Sequence, residues 1–397
     1  VKEFIYKYSF VITILIIVFV IGAPVYDPIS KFVMGQSTTA ATPTPGPFDD
    51  QQAHTPYDVK KNQPTTPVGL TPQQIYSIYH LPGRGGTGTI ALIDGFDDPN
   101  AQGDLNTFDA TYGLPPLPPC VTATQTACFE KHEMSSGLSK NGAWAFEEAL
   151  DTEWSHAIAP SARILLVEAN SGSGKDLISA LSYAAARSDV VSVSMSWGIK
   201  DTKRRENLYD NLFTNQYGTT FFASSGDNGT GVMWPSVAQT VVAVGGTTLN
   251  FVNGVFSSET AWNDSGGGLS QYESEPAYQI TYGVQQTGGY RAVPDVSFDG
   301  DPNSGVSVYD STKWQGLAGW FATGGTSVGS PVWAAIRSVG GPSVNDNAFY
   351  RDAATSNYPN YLRDITSGTN GTCGYLCTAQ PGYDYVTGLG SPLTVSF

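Results

Sequence analysis

Histidine is scarce in this 397-residue sequence, which holds four: His54, His80, His132 and His156. None stands in a glycine-flanked stretch of the HGTH kind, and HExxH is absent, so a zinc hydrolase of that class lacks its ligands. Basic residues are also few. Lys and Arg total 20 against 35 Asp and Glu, a formal net charge of −15, and such a chain repels nucleic-acid phosphates and anionic membrane surfaces. Nucleic-acid partners are excluded as a starting expectation. Cysteine is limited to two close pairs, Cys120 with Cys128 and Cys373 with Cys377. In an exported chain these suggest two small local disulfides among three possible connectivities. A four-cysteine metal site is the weaker alternative, because neither pair has CxxC spacing.

What is present begins with Lys2, Glu3 and Lys7, followed by an apolar run from Phe10 to Val25. This order predicts a signal peptide or signal anchor over residues 1–26, with cleaved and membrane-anchored forms both open. Residues 27–68 are rich in Thr, Pro, Gln and Ser and poor in apolar side chains, and are expected to be a linker. The folded domain is expected over 69–397, opening at GLTPQQIYSIYHLPG, where Thr71 and Pro72 suit an N-cap and a first helical position.

Beyond that point short apolar runs alternate with helical patterns. The strand candidates are Thr89 to Asp94, Arg163 to Ala169, Val190 to Trp197, Thr219 to Ser225 and Thr240 to Gly246. Between them AWAFEEALDTEWSHAIA and KDLISALSYAAARS repeat apolar residues every three or four positions. Continuous apolar strands separated by helices imply a parallel sheet covered on both faces. The fold class is α/β, with chemistry expected outside the carboxyl ends of the strands.

Three stretches could carry that chemistry. In ATGGTSVGSPVWAAI, Ser327 lies between a glycine-rich turn and a helical pattern with Pro331 near its start, where free N–H groups can stabilise an oxyanion. A serine N-cap is the ordinary alternative. Glu147 and Asp151 lie four residues apart on a helical pattern, so both leave the same face, and held that close they raise at least one pKa and favour a shared proton. A solvated acidic face is the alternative there, since Glu148 and Glu153 are acidic too. In ASSGDNG, Asp227 follows an apolar strand inside a glycine-rich turn. It suits a turn cap, or, when protonated, a donor to a developing oxyanion.

Together these pieces resemble the sedolisin family of serine-carboxyl peptidases. The resemblance runs through ExxLD at Glu147 to Asp151, SSGDNG at Ser224 to Gly229, GGGLSQYESEPAYQ at Gly266 to Gln279, RAVPDVSFDGDP at Arg291 to Pro302 and GGTSVGSP at Gly324 to Pro331. It implies a subtilisin-like three-layer fold with a mostly parallel central sheet flanked by helices. It further implies Glu147 as general base and acid, Asp151 as the carboxylate linked to it, Asp227 as the oxyanion-hole acid and Ser327 as the nucleophile. An acid optimum follows, because near pH 4 a histidine is protonated whereas a carboxylate can still accept a proton.

The C-terminal stretches RDITSG and QPGYDYVTGLGSP resemble the family's calcium loop. The resemblance implies one structural Ca2+ held by the side chains of Asp364 and Asp384 and the carbonyls of Ile365, Gln380 and Gly382. Protein or peptide substrates, a monomer, and an extracellular location, secreted or anchored, complete the expectation. The form expected lacks the large prodomain that most members carry. Two rivals stand beside it. One is a subtilisin-type triad of Asp94, a histidine such as His156, and Ser327. The other is an exported surface protein that keeps the fold without catalysis.

Overall fold

A strand stands where the sequence reads as linker: β1 (Asp58–Gln63) pairs antiparallel with the strand Leu317–Gly324. The computed structural model describes residues 51–201, 209–214 and 216–397, all within one unit, Pro45–Phe397. The expected export segment over 1–26 and the first part of the expected linker lie outside the described residues. Among the described residues no helix is long and apolar enough to cross a membrane. The expected start of the folded domain at Gly69 is corrected, because residues from Gln51 onward already make backbone pairings with the rest of the fold. Composition misled here: a strand that borrows its hydrogen bonds from a neighbouring hairpin does not need an apolar face of its own.

The helix α1 (Pro72–Tyr79) follows with the expected cap, Thr71 and Gln74 each bonding the other's backbone N–H. Next come β2 (Thr89–Gly95), α2 (Ala101–Tyr112), β3 (Phe129–Glu133), α3 (Gly142–Ile158), β4 (Arg163–Ala169), α4 (Gly174–Ala185) and β5 (Val190–Met195). The central sheet runs in the order Val255–Ala261, Val241–Val252, Thr220–Ser224, β5, β2, β4, β3, with Val296–Asp299 paired to Val241–Val252 outside that path. Every pairing in it is parallel except that of the edge strand Val255–Ala261.

Alternation along the strands explains why the runs read as continuously apolar. Ile90, Leu92, Ile164 and Leu166 enter one core with Phe146, Leu150 and Trp154 of α3 and Val328, Val332 and Ile336 of the helix Thr326–Gly340. Ala91, Ile93, Leu165 and Val167 enter a second core with Leu177, Leu181 and Ala184 of α4. Each face of the sheet is therefore buried under helices, which is the α/β arrangement expected. Both expected disulfides are present, Cys120–Cys128 and Cys373–Cys377.

A fully buried ion pair ties the edge of this frame together. Arg291 donates to both oxygens of Asp295, and Asp295 also accepts from the Ala243 N–H at 2.8 Å and the Tyr350 hydroxyl at 2.9 Å. Asp295→Ala leaves the Arg291 guanidinium buried without its partner. The expected outcome is a loss of about 3–5 kcal/mol, read as a lowered urea midpoint; a midpoint within experimental error of the parent's would contradict this account.

Candidate active site

Local chemistry fixes α3 first. Asn141 caps it by accepting from the N–H groups of Ala143 and Trp144 at 3.0 and 3.4 Å, a type of contact that stabilises a helix by about 1 kcal/mol. From Trp144 to Ile158 every residue of α3 is buried, as befits a helix enclosed on all sides. The acidic face is not solvated: Glu147, Glu148, Asp151 and Glu153 all lie inside.

Ser327 sits at the start of the helix Thr326–Gly340, which faces α3 across the same core. Two local features set its position. Gly325, just before the helix, has φ 111°, a left-handed conformation that favours glycine. Pro331 lies inside the helix rather than at its first turn, and it lacks the N–H that would otherwise bond the Ser327 carbonyl. The Ser196 hydroxyl reaches that carbonyl at 3.4 Å, and the Ser327 hydroxyl reaches the Ser196 carbonyl at 3.5 Å.

Glu147 lies beside Ser327. Its pKa is raised well above the ordinary carboxylate value, first by burial, then by Asp151 and Asp94, while the Ser327 hydroxyl favours its ionised form. Asp151 is raised as well, by burial and then Asp94, and its Oδ1 accepts from the Ser196 hydroxyl at 2.7 Å. Asp94, at the end of β2, is pushed up to about 8 by burial and by Glu168, and neither of its oxygens has a hydrogen-bond partner. Acids packed this way cannot all ionise, since each added charge raises the cost of the next. Protons on Asp94 and Asp151 remove two of the neighbouring charges that oppose ionisation of Glu147, while burial, the largest cause, and Asp227 still raise it.

Asp227 enters from the turn after the strand Thr220–Ser224. Its Oδ1 accepts from the Thr326 N–H at 2.9 Å and the Thr326 hydroxyl at 2.8 Å, and its buried Oδ2 has no partner. Burial lifts its pKa to about 8, so Oδ2 carries a proton in acid. The structure thus gathers Glu147, Asp151, Asp227 and Ser327 around one point. The sequence reading missed Ser196, which orients Asp151, and Thr326, which pins Asp227; the only signal for either is its place at a strand end or beside Ser327.

Histidine does not enter the group. His156 is buried, with Nε2 against the Pro115 carbonyl at 2.8 Å and Asp109 at 3.4 Å. His132 stacks on Tyr183. The triad reading that joins Asp94, His156 and Ser327 therefore has no geometric support, and Asp94 instead backs Asp151 from behind.

The groove above Ser327 is filled by the chain itself. Ala53 donates to the Gly172 carbonyl, Gly174 to the Gln51 carbonyl, and His54 and Gly198 exchange both of their backbone hydrogen bonds. Pro56 then presents its carbonyl to the Ser327 N–H at 3.1 Å. Beside His54 a cavity of about 400 Å³ runs along Ser225, Gly226, Gly231 and Met233.

Two further acidic groups lie elsewhere. Asp97, Glu133 and Glu168 cluster closely enough to hold a cation, but the Lys131 ammonium already pairs with Asp97 and Glu168. At the C-terminal end Asp364 accepts from the Gly382 N–H, and Asp384 accepts from the N–H groups of Gln380, Val386 and Thr387. Both carboxylates thus flank the turn 380–384, with Ile365 buried against Ala379 and Val386. Neither is in an ion pair among the described residues, and burial lifts Asp384 to about 7.

Residues 137–338 match the subtilase family. The chain is 35% identical over 235 residues to sedolisin of Pseudomonas sp. strain 101, covering 51% of this chain and 39% of that protein. It is 27% identical over 371 residues to kumamolisin of Bacillus sp. strain MN-32, covering 84% of this chain and 64% of that protein. It thus spans less than two thirds of either curated relative. Among solved structures, Pseudomonas sedolisin complexed with pseudo-iodotyrostatin superposes with a TM-score of 0.64 at 27% identity, over 82% of this chain and 96% of that one.

The raised acids set the direction of stability with pH. Asp94 and Asp227 at about 8 and Glu168 at about 7 hold protons that the unfolded chain releases near its ordinary value of about 4. The native state then binds more protons over that interval, so stability falls as pH rises through it. Urea unfolding should show a higher midpoint at pH 4 than at pH 7.5. A midpoint that climbs toward neutrality would refute the protonated acid set.

Proposed function

This chain belongs to the subtilase family and, among its members, to the sedolisins, and from that premise we propose that it is an acid-acting serine-carboxyl endopeptidase. Ser327 Oγ attacks the scissile carbonyl carbon and passes its proton to Glu147. The oxyanion takes hydrogen bonds from the Ser327 N–H and from protonated Asp227 Oδ2. Collapse breaks the C–N bond as Glu147 returns the proton to the leaving amine, and water then repeats the sequence on the ester. Asp151, with Asp94 behind it, keeps the charge on Glu147 by holding its own proton.

The observation that carries this reading is the free, buried Oδ2 of Asp227 beside Gly325 and Ser327. Oδ1 is spent on the Thr326 N–H and hydroxyl, which leaves Oδ2 available to a group that arrives from outside. The rival of a surface protein without catalysis offers no reason to bury four acids around a serine. Protein or peptide substrates follow from the strand-like pairing that Gly172 and Gly198 offer, since an extended backbone of any sequence can use it. The same reading sets the enzyme outside the cell, where both disulfides persist.

Ser327→Ala and Glu147→Gln should each abolish hydrolysis of a denatured protein substrate while the fold survives. Asp227→Ala should lower kcat about 10²–10³-fold. Asp227→Asn should retain more activity, because its amide still donates, and should flatten the alkaline limb. The parent's rate should peak in acid and fall toward pH 8 as Asp227 loses its proton; a profile rising toward pH 8 would overturn the roles given to Glu147 and Asp227.

The turn 380–384 suits one structural calcium ion. Two unneutralised carboxylates, Asp364 and Asp384, face a turn whose carbonyls, with that of Ile365, supply further hard oxygen ligands. The glutamine at position 380 is no obstacle, since a carbonyl ligand is indifferent to its side chain. Bound calcium would offset the repulsion between these acids and fix the C-terminal loop. Raising free calcium to about 100-fold over its dissociation constant should add about 2.7 kcal/mol of stability, read as a higher Tm that chelation reverses. An unchanged Tm would remove the ion from the account.

A further inference from the structure

The cavity beside His54 opens between two wall segments, Gly198 after β5 and Ser225 with Gly226 after the strand Thr220–Ser224. Asp227 follows Gly226 directly. Gly198 pairs with His54 through both backbone bonds, and two residues further on the Pro56 carbonyl meets the Ser327 N–H. Residues two apart in an extended chain share a face, so a substrate residue with its carbonyl in that place turns its side chain toward the cavity that His54 lines.

Met233 and Lys200 reach the same cavity by strand alternation. In the short antiparallel pair Ile199–Lys200 and Met233–Trp234, Ile199 stands opposite Trp234 and Lys200 opposite Met233. Ile199 and Trp234 enter the second core with Trp197. Lys200 and Met233 therefore turn to the other face, where both line the cavity. The walls are bare at Gly198 and Gly226: a Cβ on Gly198 would overlap the Met233 sulfur, and one on Gly226 would stand 2.6 Å from the Met233 methyl. The thioether thus lies across the gap between the two walls, and it sets how wide that gap is.

We propose that Met233 selects the side chain of the residue that supplies the scissile carbonyl, favouring a leucine-sized apolar one, and that Lys200 excludes lysine and arginine there. The inference rests on the peptidase reading above. Among the described residues no Asp or Glu lines the cavity, and Lys200 is in no ion pair. A basic side chain that entered would shed its water, meet a like charge and find no counter-ion. An apolar one would meet a soft, unbranched thioether with three rotatable bonds, which closes on a side chain of moderate size. A larger ring must push the thioether off both walls. Selection by size therefore resides in Met233, because glycine at 198 and 226 contributes backbone alone.

The test gives the full chain, at pH 4, three peptides that differ only in the residue before the cut, which is leucine, tryptophan or arginine, and measures kcat/KM for each. The parent should cut the leucine peptide best and the arginine peptide about tenfold or more slowly. Met233→Ala should raise the tryptophan-to-leucine ratio about tenfold, and Lys200→Glu should raise the arginine-to-leucine ratio about tenfold. Each ratio is taken within one preparation, so a partly misfolded variant cannot imitate the shift. If Met233→Ala does not fold, Met233→Leu serves instead, a volume-conserving change whose stiffer, branched chain should lower the tryptophan-to-leucine ratio. Ratios that these variants leave unchanged, or a parent that prefers arginine, would overturn the inference. A parent that cuts all three peptides equally would overturn it too and leave the peptidase reading standing, whereas a parent that cuts none would sink both.

Discussion

Burial of several carboxyl groups around one serine is the constraint on which the rest of this molecule depends. Glu147, Asp151 and Asp94 are fully buried, Asp227 is half-buried with Oδ2 enclosed, and no arginine or lysine pairs with any of them among the described residues. Such a group exists only if most of it stays neutral. Neutral acids donate hydrogen bonds as well as accept them, and the site uses both properties. In the proposed mechanism Asp227 donates and Glu147 accepts. A histidine in the same enclosure would be driven toward its neutral form by burial, as His156 is, yet acid outside would pull it back toward the cation.

The sheet makes this enclosure possible by delivering the parts from its carboxyl ends. Asp94 ends β2, Ser196 follows β5, and Asp227 follows Thr220–Ser224. These strands are neighbours, or next neighbours, in one parallel sheet, so their ends open toward the same side. α3 and the helix Thr326–Gly340 pack on one face of the sheet and bring Glu147, Asp151 and Ser327 to meet them. The two apolar cores hold these helices fixed. A polar cluster of this kind needs such a frame, because hydrogen bonds alone would not resist its tendency to hydrate.

Much of the frame is legible in the sequence. β4 is readable residue for residue from Arg163 to Ala169, because both of its faces are buried and nothing polar interrupts the pattern until Glu168. The spacing of Glu147 and Asp151 survives because a helix fixes it locally. Ser327 and Asp227 are readable as glycine-flanked positions next to regular elements, but their meeting is not, since it depends on a sheet closing between residues 99 apart in the Asp227 to Thr326 contact. The segment 51–63 fails for the opposite reason. Its partners are carbonyl and amide groups of distant loops, which leave no trace in composition. The burial of Glu148 and Glu153 was likewise hidden, because four acids on one helix look like a wet surface until the neighbouring acids and the Tyr309 N–H that faces Glu153 are known.

Gly325 carries a consequence that belongs to heredity rather than to chemistry. Its missing side chain leaves the space in which a carbonyl oxygen lies, with the nearest atom 2.2 Å from where a Cβ would be. No codon change that alters the residue can avoid filling that space, and the backbone conformation there disfavours any replacement as well. Any replacement there must displace that oxygen or shift the turn before Ser327.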